Sequence, residues 1–295
     1  MTPNGAAPAL PVFFAQYQTD VTARLEALAA APAEVDDVVR RAMRYTLLAP
    51  SKQVRAVLTL LCAELAGDRD RALPIAAAVE VIHAASLILD DLPSMDDAPL
   101  RRGRPANHWE FGDAVAILAA FGLLSLAFGS IAASYDPSMA SRLTVLLADA
   151  IGPDGLIAGQ AEDLRSTDQD ITFDALERIH RRKTGALFSA AATAGALTAG
   201  ATAETVAALA AYAKNLGLAF QIVDDLLDVT GRPEDTGKAV RADAKKTTFV
   251  SFSGIEGARQ LAVELCQTAD AALAPFGRRA DRLRELSVFV AARRL

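Results

Sequence analysis

Proline placement constrains this chain more than any other feature. Prolines stand at 3, 8, 11, 32, 50, 74, 93, 99, 105, 137, 153, 233 and 275, and none falls between Pro153 and Pro233. The ring removes a backbone donor and clashes inside a helix, so helices run between prolines rather than through them. This spacing predicts helices near 12–30, 34–48, 52–66, 73–91, 109–134 and 138–151, then near 155–167, 172–198, 203–230, 245–272 and 278–294. Little period-2 alternation of β-branched residues is present, and no Asn-Gly pair joins two such runs, so strands are not expected.

Composition points the same way. Hydrophobic residues make up 52% and aromatics 6%, so the apolar content is mainly Ala, Leu, Val and Ile, a mixture that favours helix wherever Ala and Leu dominate. The expected fold class is all-α. Residues 1–11 read as a flexible segment and 12–295 as a single large helical bundle, since no Ser/Gly linker, low-complexity tract or fixed-period repeat divides the chain. Irregular backbone is expected at Leu92 to Asn107 and at Gly231 to Asp243.

A net charge of −6 argues against nucleic acid as a partner, because such domains carry a basic surplus. Any phosphate site must be a local basic cluster. Cys62 and Cys266 lie far apart in apolar stretches and read as small core residues. The first basic residue is Arg24, so Met1 to Pro11 lacks the charged start of a secretory signal, and a cytoplasmic location is expected. Ala114 to Ala133 carries no charge over a length that could span a bilayer. It has acidic neighbours, Glu110 and Asp113, and no basic flank, so a buried central helix is expected rather than a membrane span.

Two aspartate clusters carry the chemistry. The first reads Asp90-Asp91-Leu92-Pro93-Ser94-Met95-Asp96-Asp97, after an apolar helical run and just before Arg101-Arg102-Gly103-Arg104. The second, Asp224-Asp225-Leu226-Leu227-Asp228, also follows an apolar run. Asp224 and Asp228 are i and i+4 and share a helix face, where like charges repel by a few tenths of a kcal/mol. Asp at a helix C-terminus also opposes the macrodipole. Both costs make sense if cations bind there, and carboxylate oxygens are natural ligands of Mg²⁺, which also keeps waters and phosphate oxygens. Taken singly, one cluster could be a solvated helix end, the three arginines a solvated loop, and His83 a core histidine. His108 and His180 show no metal-ligand pairing.

The stretch from His83 to Trp109 resembles the first aspartate-rich region of the trans-isoprenyl diphosphate synthases, in the form with four residues between the Asp pair and the third Asp, and Asp224 to Asp228 resembles their second. The likeness extends from about Ala49 to Lys246 and is nearest to bacterial carotenoid-pathway geranylgeranyl diphosphate synthases. It implies the isoprenoid-synthase helical bundle with a central cavity, a homodimer and three Mg²⁺ ions. Asp90, Asp91 and Asp96 match one set of metal ligands, and Asp224, Asp225 and Asp228 the other. Arg101 matches a contact to the allylic diphosphate; Arg102, Lys52, Arg55 and His83 match contacts to isopentenyl diphosphate. Gly159, Gln160, Asp163, Lys183, Thr184, Phe220, Gln221, Lys238, Asp243 and Lys246 match the remaining active-site positions. Ser51, Gln53 and Ala56 depart from the family's Gly, Arg and Pro, and Ala98 and Pro99 stand where many members carry aspartates.

The resemblance implies ionisation of the allylic diphosphate, capture of the cation by isopentenyl diphosphate, and proton loss to the released pyrophosphate. Arg101, Lys183 and Lys238 would stabilise the departing charge. Small Ala85 and Ser86, five and four residues before Asp90, are expected to face the tunnel for the prenyl tail and to allow a C20 product. A farnesyl diphosphate synthase is the near alternative. A class I terpene cyclase is disfavoured by the second cluster and by Lys52 and Arg55, and a non-catalytic regulatory subunit by retention of both aspartate sets.

Overall fold

The computed structural model describes residues 11, 13–30, 37–230 and 246–292. Apart from Pro11, the expected flexible segment lies outside them. Among the described residues the helices are α1 (Phe14–Leu28), α2 (Val38–Leu47), α3 (Val54–Ala66), α4 (Leu73–Asp90), α5 (Asn107–Phe111), α6 (Asp113–Ser134) and α7 (Pro137–Ile151). They continue as α8 (Leu156–Ser166), α9 (Phe173–His180), α10 (Ala186–Thr198), α11 (Ala203–Thr230), α12 (Phe249–Ala272) and α13 (Asp281–Ala291).

Local chemistry explains where several begin. Asp37 accepts from the Val39 N–H at the start of α2, and Asp136 accepts from Ser138 and Met139 with Pro137 in the first turn of α7. Thr248 and Ser251 exchange side-chain and backbone bonds at the start of α12. Caps of this kind satisfy otherwise orphaned donors and are worth about 1 kcal/mol each.

The core lies between α3, α4, α10 and α11, where α3, α4 and α10 bury long runs of Ala, Leu, Val and Ile. A smaller apolar cluster of Leu218, Ile222, Val223, Leu226, Phe249 and Leu176 lies under the second aspartate cluster. Helices α1 and α13 meet across α3: Tyr17 donates to Glu64, and Arg282 donates to Tyr17 Oη and Glu64 Oε1, both at 2.6 Å.

Three expectations change in detail. The helix expected over 109–134 breaks at Gly112, whose φ of +82° sets α5 apart from α6. The helix expected over 172–198 is interrupted by a π turn at Arg181–Gly185. Inside the irregular stretch before α5, Leu100–Arg101 (β1) and Arg104–Pro105 (β2) pair antiparallel. Arg102 and Gly103, at φ +56° and +73°, make the tight turn that such a hairpin requires.

The expectation of an all-round buried α6 is corrected. Ala116, Ala119, Ala120, Leu123, Ala127 and Ile131 form one buried face, whereas Leu118 and Phe121 are 55% and 62% exposed. The reason is size: alanines let α6 approach α4 closely, and the larger apolar side chains are left on the far side. By length and composition alone, the spans Asp70–Asp90, Asp113–Ser134 and Ala203–Thr230 could each cross a membrane.

Close approach of α10 to α3 depends on Gly195. A Cβ there would lie 2.1 Å from the Thr59 carbonyl oxygen. Ala normally gains about 1 kcal/mol over Gly inside a helix, but overpacking of this kind costs about 1–3 kcal/mol or more. Gly195→Ala is therefore expected to lower stability, read as a reduced denaturation midpoint in urea; an unchanged or raised midpoint contradicts the close-packed α3–α10 contact.

Candidate active site

The first aspartate cluster sits where α4 ends. Asp90 is the last helical residue and Asp91 the C-cap. The following loop folds back, so that the Asp96 N–H donates to the Asp90 carbonyl at 3.0 Å and Asp96 returns beside Asp90. Asp91 is 2% exposed and accepts a bidentate contact from Arg101, with Nε 2.9 and 3.0 Å from its two oxygens. The hairpin turn thus carries Arg101 back over the helix end. Asp91 positions that guanidinium, while Asp90 and Asp96 remain partly open to the cleft.

The second cluster lies near the C-terminal end of α11. Asp224 and Asp228 are partly exposed, whereas Asp225 is 3% exposed. Asp225 accepts from Gln221 Nε2 at 2.9 Å and from the Phe249 N–H at 3.1 Å, fastening α12 to α11. Gln221 Oε1 in turn accepts from the Thr184 hydroxyl at 3.0 Å. Both pairs therefore divide the same way: one carboxylate is taken up by the protein and its neighbour faces the cleft.

The π turn stands between the clusters. Such bulges are rare and concentrate at functional sites; this one sends Thr184 toward α11 and Lys183 toward Asp163 on α8. Lys183 Nζ lies 2.7 Å from Asp163 Oδ2, and Lys246 Nζ bridges Asp163 Oδ2 at 3.1 Å and Asp96 Oδ1 at 2.9 Å. Gly159 makes the turn possible, because a Cβ there would lie 2.3 Å from the Lys183 nitrogen. Sequence resemblance identified Gly159, but not this reason for it.

The charges shape one another. Burial pushes the Asp90 carboxyl up, and Asp96 and Asp91 add to that push, while the Lys183 ammonium opposes it. Burial works against the Lys183 ammonium too, yet Asp163 and Asp90 hold its pKa above the ordinary lysine value. Burial also works against the Asp163 carboxylate, and Lys183 and Lys246 outweigh it, leaving its pKa low. His180, buried next to the turn, is pushed down to about 4 by burial and so stays neutral near pH 7. Its ring packs tilted on Phe249, with centroids 5.3 Å apart.

A second basic pole forms nearer the N-terminal end of α4, beside His83. Arg55, at the start of α3, places a guanidinium nitrogen 3.2 Å from His83 Nε2 and its carbon 4.6 Å above the Phe188 ring. Phe220 lies alongside at 6.0 Å. Lys52 Nζ is 5.7 Å over Phe289, and Gln18 holds the Ser51 and Lys52 carbonyls at 3.2 Å. The departure at Gln53 acquires a function: it adopts a left-handed φ of +49° and donates to Thr22 Oγ1 at 3.0 Å, holding the loop against α1. Arg102 reaches the Ala49 carbonyl at 3.3 Å, bringing the hairpin to the same loop.

Thus Asp90, Asp91, Asp96, Arg101, Lys183 and Lys246 gather at one pole, Lys52, Arg55, His83 and Arg102 at the other, and Thr184 and Gln221 link the first to α11. Lys238 and Asp243 lie outside the described residues. Ala85 is fully buried in the core and Ser86 partly so, its hydroxyl donating to the His83 carbonyl at 2.9 Å. Phe188, Phe289 and Glu80 were not among the expected site residues. Glu80 had a signal, as the only acidic residue between Leu73 and Leu89.

Among the described residues no three metal-binding side chains converge closely enough to hold an ion by themselves. The donor chemistry nevertheless fits a hard divalent cation shared with a phosphate ligand, since one or two carboxylates plus phosphate oxygens and water complete such a shell. Lys183 and Lys246 supply positive charge among the same carboxylates.

Residues 36–270 match the polyprenyl synthetase family model. The chain is 43% identical over 270 residues to geranylgeranyl pyrophosphate synthase 11, chloroplastic, of Arabidopsis thaliana, covering 86% of this chain and 74% of that protein. It is 45% identical over 229 residues to a farnesyl diphosphate synthase of Geobacillus stearothermophilus, covering 75% and 77%. In three dimensions it resembles an apo FPP/GFPP synthase from Zymomonas mobilis, with a TM-score of 0.84, 35% identity and coverage of 95% and 97%. A geranyltransferase from Helicobacter pylori complexed with magnesium and isoprenyl diphosphate gives 0.82, 27% identity and coverage of 94% and 97%. With a cleft of paired carboxylates and ammonium groups lying inside the matched span, the chain belongs to the polyprenyl synthetase family and is a prenyltransferase.

Proposed function

We propose that this enzyme condenses isopentenyl diphosphate with an allylic diphosphate in a Mg²⁺-dependent reaction, farnesyl diphosphate being extended to geranylgeranyl diphosphate. The observation that carries this reading is the pair of basic poles, one with open carboxylates and one without. A diphosphate that binds together with metal suits the pole of Asp90, Asp96, Lys183 and Lys246; one held without metal suits Lys52, Arg55, His83 and Arg102.

Asp90, Asp96, Asp224 and Asp228 would hold the metal, three ions in all. Asp91 and Asp225 would act through Arg101 and through Gln221. Bound Mg²⁺ supplies Lewis-acid assistance to departure of the pyrophosphate. Lys183 and Arg101 add fixed positive charge where the leaving group's negative charge grows, and their positions cost no reorganisation at that moment. Arg55 and Lys52 orient the second substrate so that its double bond meets the allylic carbon. The buried aliphatic faces around them exclude water from the cation. A cytoplasmic location is part of the proposal, and buried, unbridged Cys62 and Cys266 suit a reducing compartment.

The partner proposed for the outer face of α6 is a second copy of the chain. Leu118, Phe121 and, on adjoining α7, Val145 are each more than half exposed, and large exposed apolar side chains in a group mark interfaces. A homodimer satisfies them without a membrane span.

Three expected outcomes test these assignments. Purified enzyme given isopentenyl and allylic diphosphates should form product with Mg²⁺ and none in excess EDTA, and Asp90→Ala or Asp224→Ala should lower kcat by about 10²–10³, in the range found for lost transition-state charge stabilisation. Full turnover in EDTA contradicts the metal reading. Chromatography of the products should show C20 for the wild type and a shift to C15 for Ala85→Phe; a wild type that stops at C15 indicates the farnesyl-type enzyme. In light scattering, the wild type should have twice the chain mass and Phe121→Asp the single mass, and two equal masses would place the interface elsewhere.

A further inference from the structure

Glu80 is a buried carboxylate in the middle of α4, 4% exposed and absent from every role assigned above. Its Oε1 accepts from the Ala56 N–H at 3.1 Å, and the Arg55 N–H also donates to it. Those donors belong to the first turn of α3, which has no side-chain cap of its own, because Gln53 at the N-cap position turns away to Thr22. Glu80 therefore caps α3 from a neighbouring helix, placing a negative charge at the positive end of that helix dipole.

The same carboxylate faces two cations from different parts of the chain. Arg55 comes from α3 and Arg102 from the hairpin turn, and both are attracted to Glu80. Burial works against the Arg102 guanidinium and leaves its pKa below the ordinary arginine value; Glu80 offsets part of that cost, and Arg101 adds to it. His83, one turn further along the same face of α4, contacts the Arg55 guanidinium. One short stretch of helix thus fixes the backbone and the side chain of Arg55 and the charge of Arg102.

We infer that Glu80 is the positioning residue of the isopentenyl diphosphate site, fixing the first turn of α3 that carries Arg55 and supplying a buried negative charge that attracts both Arg55 and Arg102. The inference rests on the proposed division of the two poles. Without Glu80, Arg55 and Arg102 lose a buried anion that attracts both, and the first turn of α3 loses its cap. A single negative charge between two arginines and the Lys52 ammonium still leaves positive charge over for a diphosphate. Holding cations in place before binding removes an ordering cost from the binding step.

The test is steady-state kinetics of Glu80→Gln, which keeps the shape and one acceptor for the Ala56 N–H and removes the charge. The expected result is a KM for isopentenyl diphosphate raised about tenfold or more, with the allylic KM within about twofold of wild type. If the isopentenyl KM is unchanged or falls, Glu80 does not position the site. If both KM values rise together, its role is general packing and the inference fails. A variant too unstable to purify is answered by Glu80→Gln/Arg102→Gln, which removes a buried charge of each sign. It should recover the wild-type Tm to within a few degrees, because the single change removes the largest attraction that opposes burial of the Arg102 guanidinium; no recovery overturns the pairing. A wild type without isopentenyl-dependent turnover would overturn the proposed reaction itself, an outcome separate from any of these.

Discussion

Compensation of charge inside an apolar helical bundle is the constraint on which the rest of this structure depends. A buried ion left without a partner costs about 3–5 kcal/mol, comparable to a large part of a domain's stability. The chain meets this with three buried clusters. Asp91 is held by Arg101, Asp163 takes both Lys183 and Lys246, and Glu80 faces Arg55 and Arg102. Asp163 meets a residue distant in sequence, Lys246, 83 positions away. The Lys246 contact to Asp96 spans 150 positions. The aspartates left facing the cleft are those whose charge a substrate and its metal would neutralise.

Close packing of small residues lets such charges be placed accurately. Helices lined with Ala and interrupted by Gly can approach until backbone meets backbone, as at Gly195 against Thr59 and at Gly159 against Lys183. The second approach lies in the active site. It brings α8, which carries Asp163, against the π turn that carries Lys183, so that the salt bridge forms over a contact with no side chain between the two backbones. The extra residue of a π turn also shifts the phase of the helix, so the side chains on either side of it keep different registers.

Much of this was legible in the sequence. Proline spacing places most helix boundaries within a few residues, because the physical rule is local. Breaks at Gly112 and Arg181–Gly185 were not legible: a glycine is tolerated in a helix until its φ turns positive, and a π turn has no sequence signature of its own. The exposure of Leu118 and Phe121 was also hidden, since a segment apolar on every side gives no clue to which side faces inward. For the site, motifs identified Asp90, Arg101, Lys183 and Gln221. They did not show that Asp91 and Asp225 are bound by the protein, because identical residues in one motif divide their roles only once neighbours are placed. Glu80 was visible as a lone charge in an apolar run, but its partners, at 55 and 102, are non-local.

Helix α4 ties these features to the reaction. It carries Glu80 and His83 at one pole, Asp90 at the other, and Ala85 with Ser86 between them. At a rise of about 1.5 Å per residue, Glu80 and Asp90 are separated by about 15 Å along the axis. A continuous helix of 18 residues with no internal proline after its first turn is a stiff spacer. Joining two carbons requires them to approach to about 3–3.5 Å before reaction, while the two diphosphates, both strongly negative, must be kept apart. One helix can satisfy both demands by anchoring the charged groups of the two substrates at separate points along its length and letting their hydrocarbon parts meet between. Near that midpoint the helix offers only small side chains, Ala84, Ala85 and Ser86.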